Sequence, residues 1–296
     1  MGGPLATHPA QPSPVPSRRT GRTKPPARLS SCGQRGDRLS GSAAAMPWTE
    51  SESASFRARH ASANTADAGR VLRLLERTRD LLAAQLPPLD TELTVILHDS
   101  PQALALSNPL LPVVWTLTAG PVRRYVTGWA GRDELHVLSP RALRARASLV
   151  PGSFEMLALA PASLYAKRVI ADANRELHGA RLPARSWTEL HWAWLIEGAA
   201  RWLSGESGHA RAVVGDYMRS GHRPRFPPSV RDAPLLAPPL IDLLAQSEGP
   251  AAVARLVGRL HTAGAEAAMA SIAGARSLAG LEQEWRSRLR RLAEGG

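Results

Sequence analysis

Cysteine and lysine are nearly missing from this chain. Cys32 is the one cysteine among 296 residues, so no internal disulfide can form and a cysteine-based zinc framework is excluded. Lys24 and Lys167 are the only lysines; arginine supplies the rest of the 37 basic residues, and with abundant Ala, Gly and Pro this usage fits a GC-rich coding bias. No apolar run approaches the ~18–20 residues of a membrane-spanning helix. The N-terminus has no apolar signal core either, so a cytoplasmic protein without a membrane span is expected. Internal repeats are absent. So is a serine-hydrolase elbow: Gly205-Glu206-Ser207-Gly208 lacks the G-x-S-x-G spacing.

What the chain does have is positive charge, +12 in total. Half of it sits in residues 1–45, which hold seven basic residues, one acid and seven prolines. Such a segment has too little apolar surface to offset its ordering entropy. Residues 1–47 are therefore read as a disordered basic tail, and Met46, directly after the biased stretch, offers an alternative start. The remaining 30 basic and 24 acidic residues are spread over 251 positions without the one-sided clustering of a nucleic-acid binder. Nucleic acid is not the expected partner of the body of the chain.

Strands are expected first and helices later. Ser55–His60 and Thr91–His98 alternate in the manner of strands, and Val113–Thr118, Arg124–Trp129 and Glu134–Leu138 are read as further strands. Ala66–Leu86 has helical apolar spacing ended by Pro87-Pro88. Helices are expected over 159–179, 187–205, 208–219, 237–246, 250–262, 264–273 and 277–293. This order argues for an α+β fold. The expected division is 48–206, a mixed N-terminal sheet with helices, followed by a helical subdomain over 207–296.

The most informative stretch is Trp194-Leu195-Ile196-Glu197-Gly198-Ala199-Ala200-Arg201-Trp202-Leu203-Ser204-Gly205, a helix with a glutamate set among apolar neighbours. A lone buried carboxylate is costly, so Glu197 needs a cation, a metal or a proton. The stretch resembles the W-L-x-E-G-x-A-x-[YW]-x-x-G signature of peptidase MA-like proteins, gluzincin-type zinc metallopeptidases. The resemblance covers about residues 53–293 and implies a zincin-like fold. It also implies a zinc ligand at Glu197, with two further ligands and a general base in an H-E-x-x-H on the preceding helix.

No H-E-x-x-H occurs in the chain. Counting back from Glu197 places Asp172 and Glu176 where the family has histidines, and Ala173 where it has the catalytic base. Ala173 accepts no proton, so general-base catalysis is lost there. Asp172, Glu176 and Glu197 together would form a hard oxygen site, suited to magnesium, calcium or manganese rather than zinc. Local arginines offer another solution: Arg175 is three residues after Asp172, and Arg201 is four after Glu197. Trp194, Trp202 and Tyr217 are candidate cleft residues, with core packing as the alternative for the tryptophans. The expectation is a degenerate, non-catalytic metallopeptidase homologue with no cofactor, binding a protein or peptide through its relict cleft. Two readings stand beside it: a metal-dependent peptidase with an atypical carboxylate site, and a nucleic-acid or membrane-surface binder acting through the basic tail.

Overall fold

Alternating burial along the central strands builds the sheet. The computed structural model describes residues 48–118, 120–174, 182–274 and 276–295, with the side chains of 182–191 and 261–266 outside that description. The basic tail and Glu176 therefore lie outside the described residues. The strands are β1 (Trp48–Glu52), β2 (Phe56–Ala61), β3 (Leu93–His98), β4 (Gly128–Ala130) and β5 (Glu134–Leu138). They form one mixed sheet in the order β1-β2-β3-β5-β4, parallel at its centre and antiparallel at both edges. Phe56, Ala58, Leu93, Val95, Leu97, Leu135 and Val137 are buried. The two-residue period sends their neighbours to the opposite face.

The helices are α1 (Thr65–Ala83), α2 (Pro101–Ser107), α3 (Leu111–Leu117), α4 (Gly120–Arg123), α5 (Pro140–Arg146), α6 (Ser153–Ala158), α7 (Ala160–Ala173) and α8 (Leu182–Leu203). After them come α9 (Arg211–Arg219), α10 (Ala233–Glu248), α11 (Pro250–Val257), α12 (Leu260–Ala273) and α13 (Leu278–Glu294). The architecture is α+β, as expected. α1 and α7 pack on each other and on the sheet, α8 lies between α7 and α10, and α9 packs on α13. The described residues belong to one compact unit.

Two glycines set close approaches that the site depends on. A Cβ on Gly128 would meet His136 O at 2.2 Å and Leu164 Cδ1 at 2.6 Å, so only glycine lets β4 lie this near α7. A Cβ on Gly198 would meet Ala237 Cβ at 2.9 Å, so the glycine after Glu197 lets α8 and α10 cross closely.

Four elements depart from expectation. Val113–Thr118 is not a strand: it falls in and just after α3, where Pro112 in the first turn pre-sets a helical φ. A short apolar run has no period that separates buried strand from helix. Of Arg124–Trp129, only Gly128 and Trp129 enter β4. β1 escaped notice because its outer edge is unpaired and its exposed positions carry Glu50 and Glu52; these pair across to Arg59 and Arg57. α7 also stops at Ala173 rather than 179. Asn174 takes over there, donating to Ile170 O at 2.8 Å and to Val257 O at 2.7 Å.

Trp285 anchors the C-terminal helices. It is fully buried, donates its indole N–H to Leu236 O at 3.1 Å, and lies 5.5 Å from the Phe226 ring. Trp285→Ala is expected to cost about 3–5 kcal/mol in urea unfolding. A cost below about 1 kcal/mol would place it outside the cooperative core.

Candidate functional site

α7, α8 and the segment Tyr125–Arg132 enclose a cleft of about 820 Å³, within the size range of ligand sites. Its side next to the sheet is β4, the edge strand paired with β5, whose three residues line the cleft. α7 contributes Ser163, Leu164, Lys167, Arg168 and Asp172; α8 contributes Ala193, Ile196, Glu197 and Arg201.

Glu197 is held between two cations. The Lys167 ammonium pairs with Oε2, and Arg201 Nε donates to Oε1 at 2.6 Å. Arg201 then continues the network, pairing with Glu206 and donating Nη2 to Tyr125 O at 2.8 Å. Glu206 lies in the turn after Gly205 and is 1% exposed; its Oε2 has no hydrogen-bond partner among the described residues. The network thus alternates Lys167, Glu197, Arg201, Glu206, with two charges of each sign.

The two carboxylates respond in opposite directions. Burial alone would raise Glu197, but Lys167 and Arg201 outweigh it and hold the carboxyl at about 2. Burial raises Glu206, and Arg201 offsets this only in part. Glu197 is therefore anionic at neutral pH and fully committed to its two cations.

Compared with protein families, with curated proteins and with solved structures, the chain matches none.

The residues singled out in the sequence fall into three groups. Glu197 lies in the cleft and pairs locally with Arg201, the alternative that the sequence offered to a metal. Asp172 also lines the cleft, but it accepts from Arg168 Nη2 at 3.1 Å. The α7 side chain on Glu197 is Lys167, and Asp172, five residues further on, lies about 140° around the helix from it. Ala173 is the last residue of α7 and is not among the residues lining the cleft.

The third group lies elsewhere. Trp194 is buried in the core. Trp202 donates its indole N–H to Asp242 Oδ1 at 3.0 Å. Tyr217 donates to Asp232 Oδ1 at 2.6 Å and stacks on His222, and burial with the Asp232 carboxylate pushes its phenol up. None of these three is a cleft-lining residue; each is spent on packing between helices. The residue sequence reasoning missed is Lys167. Its signal was compositional: it is the one lysine among residues 46–296 of an arginine-rich chain.

Proposed function

We propose that this chain is a non-catalytic relative of the gluzincin-type zinc metallopeptidases, with a zincin-like arrangement of sheet and site helices, that binds an extended peptide segment of a partner protein in its cleft. The observation that carries the reading is the Lys167–Glu197 pair. Ser163, Leu164 and Lys167 have the spacing of H-E-x-x-H and all three line the cleft with Glu197. In this register serine and lysine take the two histidine positions, and leucine takes that of the base.

Zinc does not fit this donor set. An ammonium held by Glu197 has no lone pair to give a metal, and Glu197 itself is neutralised by two cations. The ammonium supplies the positive charge that the carboxylate would otherwise take from a metal. Leu164 has no proton-accepting group. A hard-metal site built on Asp172 and Glu197 meets the same objection, since arginine holds each of them. A Ser163–Lys167 nucleophile fails too, because the lysine nitrogen is committed to its ion pair with Glu197.

Binding is what the cleft retains. The free edge of β4 offers main-chain N–H and C=O groups for strand addition, and the cleft supplies pockets for alternate side chains of the guest. The test is reconstructive. Ser163→His with Leu164→Glu and Lys167→His is expected to give stoichiometric zinc binding, and the unmodified protein none. A folded triple variant without zinc affinity would defeat the assigned register. Stoichiometric zinc in the unmodified protein, with peptide cleavage lost in Glu197→Gln, would defeat the non-catalytic reading.

A further inference from the structure

From Ser100 to Val122 the chain has 23 consecutive positions without a charge, although 21% of all its residues are charged. This stretch contains α2 and α3. Leu104, Leu111 and Val122 turn into the core, but much of its remaining apolar surface stays outside. Leu106 is 88% exposed, Leu110 67%, Val113 52% and Leu117 56%. With Val114, five of the nine large apolar side chains exposed among the described residues fall within these twelve positions, which makes them a patch rather than scatter.

Arginines gather beside the patch. Arg123 and Arg124 follow it directly. Arg146 of α5 reaches back, donating Nη2 to Arg123 O at 2.8 Å and Nε to Arg124 O at 3.1 Å, with its guanidinium 5.8 Å from the Trp115 ring of α3. Among the described residues none of these three arginines pairs with a carboxylate, whereas Arg57, Arg59 and Arg168 each do. Burial and the neighbouring Arg124 lower Arg146, as unbalanced positive charge would.

We infer that the α2–α3 face docks on an anionic lipid surface, its leucines and valines entering the interface and Arg123, Arg124 and Arg146 meeting the headgroups. A lipid surface supplies both complements at once, an apolar layer and a sheet of negative charge above it, without requiring a fixed shape. No helix among the described residues is long and apolar enough to cross a membrane, so the contact is peripheral. Leu110 and Val114 also line the cleft, so docking would bring the cleft mouth to the membrane surface. The inference stands on exposure and charge alone and is independent of what the cleft binds.

The test is flotation of the full chain with vesicles of phosphatidylcholine containing about 30% phosphatidylglycerol, against phosphatidylcholine alone, across a salt series. Binding is expected to the anionic vesicles, weakened by salt. Leu110→Glu with Val113→Glu is expected to lower it about tenfold or more. Arg123→Ala with Arg124→Ala should lower it in the same direction. Leu106→Glu, at the most exposed leucine of the patch, keeps the test open should the double variant fail to fold. The basic tail is present in every protein compared, so undiminished binding by the folded variants would assign it to the tail and overturn the inference. Absence of binding by the unmodified chain would also overturn it. Self-association lost in the Leu110/Val113 variant, without vesicle binding, would assign the face to a second copy instead and overturn it likewise.

Discussion

Arg201→Met is expected to destabilise the protein by about 3–5 kcal/mol, the range found when one partner of a buried ion pair is removed. At this chain length that corresponds to a fall of roughly 10 °C in Tm. The reason lies in the network's alternation. Arg201 is 4% exposed and is the cation shared by Glu197 and Glu206. Without it Glu197 keeps Lys167, but the buried Glu206 loses its ion-pair partner. Methionine fills much of the same volume, so the loss reports charge rather than a cavity. The argument is checked by adding Glu206→Gln: removing the stranded carboxylate should restore a large part of the loss. Two single variants and the double close a thermodynamic cycle. A cost for Arg201→Met below about 1 kcal/mol would show that Glu206 finds a proton without penalty and that the network contributes little.

Much of the fold was legible because its elements carry clean periods. β3 alternates, and α1 and α13 each show apolar residues at helical spacing, bounded by prolines or a serine cap. Ser277 at the start of α13 does accept from Gly280 N. What failed to show was relational. α3 and a buried strand share one composition over so short a run, and β1 is stabilised by cross-strand Glu–Arg pairs that only the register reveals. The site failed for a related reason. Glu197 could be marked from its own helix, since a carboxylate among tryptophans and alanines demands a partner. Its partner on α7 could not, because the connection from α7 to α8 has no length that sequence alone determines. A count of 21 residues pointed to Glu176, whereas Lys167 lies 30 residues away. Arg201 was named as an i, i+4 partner because helix geometry alone sets that distance.

Acid sensitivity is the second large effect, and it arises outside the cleft. His98 of β3 and His136 of β5 stand on the same face of the sheet, two residues apart in register. Glu134 can only accept, so His136 Nε2 donates to it at 3.1 Å, and His136 Nδ1 is left to accept from His98 Nε2 at 3.0 Å. Trp129 stacks on His136 at 4.2 Å, and Trp48 meets His98 edge-on, closing the pair from water. Burial lowers His98 to about 4, with His136 adding to the fall and Asp99 opposing it; burial lowers His136 as well.

A histidine lowered on folding binds its proton more readily in the unfolded chain. Its contribution is therefore complete above pH 6.5 and is lost as pH falls from there toward 4. For His98 this amounts to about 3 kcal/mol. Glu197 acts in a lower window, between 4.5 and about 2, with the same sign, while the raised Glu206 works in the opposite direction. Urea unfolding at pH 7, 5.5 and 4.5 should show a stepwise loss before Glu197 begins to titrate. His98→Gln, which keeps a donor toward His136 and removes one titrating ring, should lose clearly less over that interval, the remainder coming from His136. An equally steep loss in His98→Gln would move the acid sensitivity away from this pair. The windows make the two sites separable: Arg201→Met acts on stability at neutral pH, while His98→Gln chiefly reshapes its decline between pH 6.5 and 4.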